Sequence, residues 1–385
     1  MKKLNSKKKI DLFFFTGKRG GFSHFVPIIK ILDQQKSINY KILVTDMHLS
    51  SLFGNTLNEI KMYSKKIILL DSIQIKDNIA NRLQVISKTI QALSKILKKK
   101  KPNFLFLLGD RAEVLGAAIA AMHYNIPIIH LYGGDLTQGG TDEVTRHAIS
   151  KLSNIHLTSN IQSYKNILRM GEESWRVYNV GLSSLDLLDK DFFRSKSYLE
   201  KKFNIELKKP LILLIQHSVT WQVDQSRAQI KETLKALDKL KVQTIAIYPC
   251  SDPGYENIIK EYKKFEKKKF FQVYKNLEIN DFYSLLKHSK VLLGNSSCGI
   301  LECGFIKKFV INLGIRQEGR VCEKNVYHIS HSSEKILKKI KELLKKSNPK
   351  TKSKLYGSGN SSKKIVSTIL NLDLKKNLIR KKFVI

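Results

Sequence analysis

The sequence reads Leu107-Leu-Gly-Asp-Arg-Ala-Glu113 and then, after one predicted helix, His130-Leu-Tyr-Gly-Gly-Asp135. Each stretch begins in or just after an apolar run, residues 104–108 and 127–131, that is short and rich in Ile, Leu and Phe. Such runs predict strands buried on both faces of a parallel sheet. Polar residues follow each run, and the carboxyl ends of parallel strands share the edge where open α/β sheets bind ligands. The two stretches therefore predict an α/β fold with a functional site at one sheet edge.

Apolar runs alternate with helical patterns along the whole chain. The helical segments carry apolar residues every three or four positions, as in Lys335-Ile-Leu-Lys-Lys-Ile-Lys-Glu-Leu-Leu-Lys-Lys346. The predicted strands are residues 12–15, 42–45, 67–70, 104–108, 127–131, 155–158, 211–215, 244–248, 291–293 and 309–313. Alternating βα units predict parallel sheets with helices on both faces.

The series of βα units is interrupted once. Residues 181–190 and the Lys-rich residues 194–209 carry no strand pattern, and a new apolar run begins after Pro210. A chain of 385 residues is long for one hydrophobic core and suits two. We therefore predict two Rossmann-like domains with a cleft between them, residues 1–182 with the candidate carboxylates and residues 183–364. Residues 365–385 are expected to form a C-terminal helix that packs back on the first domain.

Composition argues against several classes of protein. No apolar run approaches the roughly 18 residues that span a bilayer. The apolar stretch behind the basic N-terminus stops after about five residues, short of the roughly 7–15 of a secretory signal, so we expect a first strand and a cytoplasmic protein. The cysteines form no CxxC pair and have no partnered histidine spacing, which predicts structural thiols and no metal site. They are Cys250, Cys298, Cys303 and Cys322.

The formal charge of the chain is +36 at pH 7, which would suit a protein that binds nucleic acid or another polyanion. Only eleven of the 69 basic residues are arginines, however, and arginine is the residue that base readers and phosphate clamps favour. Many of the lysines fall in amphipathic helical patterns. We therefore interpret the charge as solvated helix surface that also attracts anionic substrates, and we do not expect nucleic acid as a partner.

Two glycine-rich stretches lie between a predicted strand and a predicted helix. Thr16-Gly-Lys-Arg-Gly-Gly-Phe-Ser-His24 would bring backbone N–H groups and Arg19 to an anion, although a tight strand-to-helix turn explains the same glycines. Leu293-Gly-Asn-Ser-Ser-Cys-Gly-Ile-Leu-Glu302 places Ser296 and Ser297 where they would cap a helix that receives a phosphate. Its closing glutamate would accept hydrogen bonds from two ribose hydroxyls. Capping alone is the simpler interpretation of the serines.

Arginines concentrate at the strand ends. Five of the eleven lie within a few residues of glycine-bearing strand ends: Arg19, Arg111, Arg146, Arg316 and Arg320. Arginines scattered over a solvated surface would not cluster in this way. A ligand that carries a diphosphate and lies between the two domains would explain the pattern.

Carboxylates gather at the same strand ends. Asp110 ends one strand, while Asp142, Glu143 and Arg146 share the start of a predicted helix at spacings of three and four residues. Carboxylates close together in a closed cleft have pKa values that move apart, so that one donates a proton and another accepts it. Helix capping by Asp142 with a surface ion pair is the structural alternative. A lone histidine is usually structural, but His217 ends the first strand of the second domain, where it would face the phosphates.

Taken together, these residues resemble the UDP-N-acetylglucosamine 2-epimerase family, and specifically its hydrolysing branch. The resemblance runs from about residue 13 to about residue 328 and includes further blocks in the same order. These blocks are Thr45-Asp-Met-His-Leu-Ser-Ser-Leu-Phe-Gly-Asn-Thr56, Arg146-His-Ala-Ile-Ser-Lys-Leu152, Tyr248-Pro249 and Ser251-Asp-Pro-Gly254.

The resemblance implies a glycosyltransferase-B-like architecture in which the second domain holds the nucleotide and the first faces the sugar. The catalytic residues that it implies by position are Asp110, Asp142, Glu143, Arg146 and His217. The residues that it implies around the uridine diphosphate are Ser296, Ser297, Glu302 and Arg316, with Arg19 and Arg111 near the phosphates. The implied partner is a UDP-sugar, without metal or redox cofactor, and the protein is expected to be a homodimer or higher homo-oligomer.

The reaction implied by the resemblance has two stages. A base removes the proton at C2 while the diphosphate leaves from C1. Arg146, His217 and the serine turn, Ser296 and Ser297, stabilise the departing charge. Water then adds to the bound glycal at C1, and a proton returns to C2 from the other face. The products are UDP and a free sugar of the N-acetylmannosamine type. The substrate would be UDP-N-acetylglucosamine or UDP-N,N'-diacetylbacillosamine, on the way to sialic or legionaminic acid.

The sequence departs from the family pattern at three positions. Tyr132 stands where members carry a catalytic glutamate. Because an ordinary tyrosine is a poor base at neutral pH, Asp135 or Asp110 is expected to serve instead. Gly21 stands where an acidic residue is common, and Cys250 replaces a usual asparagine.

Three other functions remain open from the sequence. A non-hydrolysing 2-epimerase would return the sugar to UDP, although residues 47–50 and 295–302 favour the hydrolysing branch. A glycosyltransferase of the same architecture would need an acceptor. A non-catalytic protein that binds a nucleotide-sugar or a polyanion would fit Tyr132 and the high charge.

Overall fold

The computed structural model describes residues 9–374 and 376–385 and folds them around two parallel sheets. The first sheet contains β1 (Ile10–Thr16), β2 (Ile38–Val44), β3 (Ile67–Leu69), β4 (Phe104–Leu108), β5 (Ile128–Leu131), β6 (Ile155–Thr158) and β7 (Val177–Asn179). The second contains β8 (Ile212–Ile215), β9 (Thr244–Ile247), β10 (Phe271–Tyr274), β11 (Val291–Gly294), β12 (Phe309–Leu313) and β13 (Val326–Ile329). The predicted fold class, two α/β units with a cleft between them, is confirmed.

Helices cover both faces of the sheets. They are α1 (Arg19–Phe22), α2 (Val26–Leu32), α3 (Leu57–Tyr63), α4 (Ile79–Lys99), α5 (Ala112–His123), α6 (Asp142–Leu152), α7 (Ile161–Arg169), α8 (Lys196–Phe203), α9 (Ser226–Leu240), α10 (Tyr255–Phe265), α11 (Ile279–His288), α12 (Cys298–Leu301), α13 (Cys303–Ile306), α14 (Ser333–Lys345) and α15 (Ser361–Leu370). Short 3₁₀ helices lie at Asp46–Leu49, Ser51–Phe53, Ser174–Arg176, Ser183–Leu187 and Val223–Gln225. Within the described ranges, every helix is too short or too polar to cross a bilayer.

The strand order places the cleft. The first sheet runs β3-β2-β1-β4-β5-β6-β7 and the second runs β10-β9-β8-β11-β12-β13. In both sheets the order reverses beside the first strand, and at such a switch point the loops diverge and leave a crevice at the carboxyl ends of the strands. The crevices of the two sheets face each other, so loops from both domains line one cavity.

The central strands are buried on both faces, as the continuous apolar runs predicted. In β4 the residues Phe104 to Leu107 are fully buried. The ring of Phe14 on β1 packs against Phe25 on one face at a centroid distance of 5.0 Å and against Phe106 at 4.9 Å. Packing of this kind fixes β1 and β4 side by side and so fixes the two loops that leave them.

The C-terminal segment returns to the first domain. Helix α15 packs against α2, and the buried guanidinium of Arg176 donates to the backbone carbonyls of Leu378 and Arg380, each at 2.8 Å. The ammonium of Lys381 donates at 2.7 Å to the carbonyls of Lys151 and Ser153 at the end of α6. The last residues of the chain thus hold the helix that carries Arg146.

Candidate active site

A cavity of about 1560 Å³, its open mouth included, lies between the carboxyl ends of the two sheets. The loops that follow β1, β4, β5, β8, β11 and β12 line it. Twelve of the thirteen residues proposed from the sequence line this cavity: Asp110, Asp142, Arg146, His217, Tyr132, Asp135, Arg19, Arg111, Ser296, Ser297, Glu302 and Arg316. The thirteenth, Glu143, lies behind its wall.

Asp110 and Arg146 form one corner of the cavity. Gly109, with a φ of 77°, turns the chain at the end of β4 and presents Asp110. Arg146 is buried, and its Nη2 donates to Oδ2 of Asp110. Its Nη1 donates to the carbonyl oxygen of Asp135 and to Oγ1 of Thr137, both at 2.8 Å. A buried guanidinium held by three hydrogen bonds therefore fixes the orientation of the Asp110 carboxylate, whose side chain stays 16% exposed.

Glu143 holds this corner in place. The sequence predicted that Glu143 would face the cavity, but it does not line it. Its Oε1 accepts from Nε2 of His147 at 3.0 Å, and its Oε2 lies 3.7 Å from Nη1 of Arg146. The backbone N–H of Thr137 donates to the same Oε2. Burial alone would raise the pKa of Glu143, but the hydrogen bonds from His147 and Thr137 hold it below its ordinary value. The ionised carboxylate anchors the loop that precedes α6.

Asp135 is almost fully engaged by donors. Its Oδ1 accepts from the hydroxyls of Ser159, at 2.7 Å, and of Ser163. Its Oδ2 accepts from Nη2 of Arg320, which belongs to the second domain, at 3.2 Å. The side chain is only 3% exposed. Asp135 is therefore a rigid part of the cavity wall, and both of its carboxylate oxygens already accept hydrogen bonds.

Tyr132 is a structural link and not a base. Its hydroxyl accepts the backbone N–H of Ser183 at 2.8 Å and lies 2.8 Å from Oγ of Ser183. Because that Oγ donates to the carbonyl oxygen of His24 at 2.7 Å, the tyrosine must be the donor to it. Burial raises the pKa of Tyr132 well above its ordinary value. The phenol therefore stays protonated and ties β5 to the segment between the domains.

His217 presents a neutral ring with a defined tautomer. Burial, and then the charge of Arg316, lower the pKa of His217 well below its ordinary value. Its Nδ1 accepts the backbone N–H of Cys250 at 3.0 Å. A neutral imidazole whose Nδ1 is an acceptor carries its proton on Nε2. Since Nε2 has no hydrogen-bond partner within the described residues, His217 offers the cavity an N–H donor.

The predicted serine cap does not form. The helix that follows Ser297 is a single turn, α12, and Ser297 itself has helical backbone angles, φ −59° and ψ −28°, with no capping hydrogen bond. A capping residue needs extended backbone for its side chain to reach the first N–H groups. The hydroxyl of Ser296 accepts from Sγ of Cys298 at 3.2 Å. Both serines instead line the cavity.

Glu302 lines the cavity but is almost fully buried among polar side chains. Its Oε1 accepts from the hydroxyls of Ser184 at 3.1 Å and Tyr283 at 3.3 Å, and Nε2 of His24 lies 4.0 Å away. Burial raises the pKa of Glu302 to about 7 and lowers that of His24 to about 3. The other carboxyl oxygen, Oε2, is buried and has no partner within the described residues. A hydroxyl-bearing ligand would supply the missing donor.

Three arginine–carboxylate pairs join the domains across the cavity. They are Arg111 with Asp252, Arg316 with Asp142 at 3.4 Å, and Arg320 with Asp135 at 3.2 Å. Asp252 also lies 3.5 Å from Arg316. Burial would raise the pKa of Asp252, but the charges of Arg111 and Arg316 lower it below its ordinary range. These pairs hold the domains in the arrangement that closes the cleft.

Backbone contacts reinforce this closure. The guanidinium of Arg19 donates to the carbonyl oxygens of Tyr248 and Lys275 in the second domain, so its donors serve the domain contact in this arrangement. Gly139 lies against the second domain so closely that a Cβ there would be 1.9 Å from the carbonyl oxygen of Ile315. Only glycine permits this approach.

Several residues that shape the site were not predicted from the sequence. Glu113 lies 3.6 Å from Nε of Arg111 and packs against Gly17, and its spacing after Asp110 was the only signal for it. Asp252 lies in one of the blocks that resemble the family, but its role could not be predicted because its partner, Arg111, is 141 residues away along the chain. Across the described part of the chain, no three His, Cys, Asp or Glu side chains gather to hold a metal ion, and the four cysteines are free.

Glu59 was also missed, and it reaches across the cleft. Its Oε1 accepts the backbone N–H of Ile279, the first residue of α11, at 2.6 Å. Burial raises the pKa of Glu59 to about 7. A carboxyl group with this pKa takes up a proton in the folded protein at a pH where it would be ionised in the unfolded chain.

Replacing Glu59 by glutamine is expected to flatten the pH dependence of stability. Between its unfolded value of 4.5 and about 7, Glu59 binds more protons in the folded state, so the free energy of unfolding falls as pH rises through this window. Glutamine keeps an oxygen for Ile279 and does not ionise. The free energy of unfolding of E59Q should equal that of the wild type near pH 4.5 and exceed it above about pH 7, by up to about 3 kcal/mol.

Urea unfolding at several pH values measures this effect. Glu334→Gln, an exposed position on α14, is the matched control and should leave the slope of the wild type unchanged. If the free energy of unfolding of E59Q fell with pH as steeply as that of the wild type, the assigned ionisation of Glu59 would be wrong.

Sequence comparison identifies relatives over most of the chain. Residues 30–370 match the family described as UDP-N-acetylglucosamine 2-epimerase. The UDP-N,N'-diacetylbacillosamine 2-epimerase (hydrolyzing) of Legionella pneumophila is 32% identical over 372 residues, which cover 96% of this chain and 98% of that protein. The GDP/UDP-N,N'-diacetylbacillosamine 2-epimerase (hydrolyzing) of Campylobacter jejuni is 34% identical over 301 residues, 77% of this chain and 78% of that one.

Structural comparison supports the same architecture. The UDP-GlcNAc 2-epimerase of Neisseria meningitidis, solved bound to UDP-GlcNAc, superimposes with a TM-score of 0.77 at 20% identity, covering 94% of this chain and all of that one. This likeness concerns the fold. Together with the sequence matches, it confirms the resemblance that the strand-end motifs predicted.

Proposed function

The chain belongs to the UDP-N-acetylglucosamine 2-epimerase family, and on that premise we propose that it is a hydrolysing 2-epimerase of a UDP-linked 2-acetamido sugar. The observation that carries the proposal is the single cavity in which carboxylates of the first domain face His217 and the serine turn of the second. We assign the sugar to the side of the first domain and the nucleotide to the side of the second.

Two carboxylates are placed to move the C2 proton. Asp110 and Asp142 keep 16% and 24% of their side chains exposed, whereas Asp135 and Glu302 keep only 3% and 4%. Inversion at C2 needs proton removal on one face of the ring and proton delivery on the other. We assign proton removal to Asp110, which Arg146 holds in place, and we assign Asp142 to the second proton transfer.

The second domain stabilises the departing diphosphate. As the C1–O bond breaks, negative charge accumulates on the phosphate oxygens, and the Nε2–H of His217 donates to it. Arg316 lies beside His217 and adds a positive charge, and the hydroxyls of Ser296 and Ser297 add neutral donors. Donors that are fixed before the reaction stabilise charge without the cost of reorganisation. The closed cleft then retains the glycal until water adds at C1.

We favour UDP-N,N'-diacetylbacillosamine as the substrate, because the two hydrolysing relatives from Legionella pneumophila and Campylobacter jejuni carry this sugar in their names. UDP-N-acetylglucosamine is the second choice. The free sugar produced would be a precursor of sialic or legionaminic acid. We further propose a cytoplasmic homodimer or higher homo-oligomer as the working form.

Phosphorus NMR tests the reaction. The wild type should convert one of the two UDP-sugars to UDP without any added acceptor, with a free sugar as the other product. A new sugar still linked to UDP would identify a non-hydrolysing epimerase instead. A requirement for an acceptor would identify a glycosyltransferase, and binding without turnover of either substrate would point to a nucleotide-sugar or polyanion-binding protein.

A further inference from the structure

Most cationic side chains of the cavity already have partners. Five arginines line it, and six carboxylates line it as well, so the arginines alone provide no surplus of positive charge. Four of the arginines, Arg111, Arg146, Arg316 and Arg320, pair with carboxylates. Arg19 donates to backbone carbonyls. An incoming diphosphate carries several negative charges and would have to compete with these partners.

Lys18 differs from all five arginines. It lines the same cavity, it is half-buried, and within residues 9–374 and 376–385 its ammonium makes no hydrogen bond or ion pair. It follows β1, beside the switch point of the first sheet, where ligands bind in open α/β folds. A Cβ built on the nearby Gly20 would meet nothing within 4 Å, so the loop leaves open space beside it.

The charge of Lys18 reaches both halves of the site. It lowers the pKa of His24 in the first domain, and those of His217 and Asp252 in the second. His217 is the group that we assign to the departing diphosphate. A cation that acts on His217 from the opposite side of the cleft is well placed to contact an anion held between them.

We propose that Lys18 is the principal cation that binds the diphosphate of the nucleotide-sugar, reaching from the first domain to phosphates held by the second. This inference rests on the proposed function and adds to it a cation that, unlike Arg316, is not paired with a carboxylate among the described residues. Because every arginine of the cavity is engaged, Lys18 can neutralise the diphosphate without breaking an existing ion pair.

Calorimetric titration with UDP and with uridine tests the proposal. Lys18→Met should bind UDP about 10-fold more weakly than the wild type and bind uridine with unchanged affinity, because only UDP carries the phosphates. Lys18→Arg, which keeps the charge, should recover most of the affinity for UDP. Lys36→Met is the control for charge removal, since Lys36 is exposed and precedes β2, at the opposite edge of the sheet from the cavity.

The outcomes separate this inference from the proposed function. If the wild type binds UDP and Lys18→Met binds it equally well, or loses UDP and uridine to the same extent, the assignment of Lys18 is wrong and the proposed function stands. If the wild type binds no UDP at all, the proposed function fails and the assignment of Lys18 fails with it.

Discussion

Asp110→Asn is expected to turn over its UDP-sugar about 10³-fold more slowly than the wild type. The asparagine amide has nearly the shape of the carboxylate but cannot accept the C2 proton. Asp110 is the carboxylate that Arg146 fixes at the cavity corner, and its side chain lines the cavity and is 16% exposed. The loss should appear in kcat, because we assign the nucleotide mainly to the other domain, so UDP affinity should change little.

The matched control for this variant is Asp224→Asn. Asp224 is an exposed aspartate in the 3₁₀ helix Val223–Gln225, and the same chemical change there should leave kcat unaltered. If Asp110 served only as a structural partner of Arg146, Asp110→Asn would lower the melting temperature and leave kcat close to that of the wild type. That result would remove Asp110 from the chemistry.

The second large effect is expected at His217, where two substitutions separate the two ring nitrogens. Asparagine places an oxygen near the position of Nδ1, so His217→Asn keeps the acceptor for the N–H of Cys250 and loses the donor toward the cavity. Removal of one fixed donor to a developing anion costs about 10²–10³ in kcat. Glutamine places an amide N–H near the position of Nε2, so His217→Gln should keep substantially more activity than His217→Asn.

The ionisation of His217 gives an independent check on this assignment. Because burial and Arg316 keep the pKa of His217 far below its ordinary value of 6.5, the ring stays neutral through the physiological range. The pH profile of kcat should therefore have no step near pH 6.5 that arises from His217. A step from His217 would be present in the wild type and absent from His217→Gln. Such a step, or equal activity of the two variants, would show that the ring does not act as a neutral donor.

The central strands could be predicted from the sequence, and three of the four edge strands could not. Residues 104–108 form a continuous apolar run because helices bury both faces of β4. The missed strands β7, β10 and β13 lie at sheet edges, where one side is exposed and polar residues interrupt the run. Their pairing depends on the neighbouring strand more than on their own composition.

The site was predictable to the extent that strand ends determine it. Asp110 and His217 follow buried strands directly, so the fold class alone places them at the cleft. The contacts of Tyr132 were not predictable, because its hydroxyl is held by Ser183, which only the turn between the domains brings near. Nor was the pairing of Asp252, which depends on how the two domains close.

Deuterium incorporation at C2 tests the central claim most directly. The wild type is incubated with UDP-N,N'-diacetylbacillosamine, and in parallel with UDP-N-acetylglucosamine, in deuterium oxide, and the products are observed by proton NMR. We expect one equivalent of UDP and a free 2-epimeric sugar that carries deuterium at C2. A free sugar that retains its original proton at C2 would contradict it, because the chemistry assigned to the Asp110 corner would then not occur.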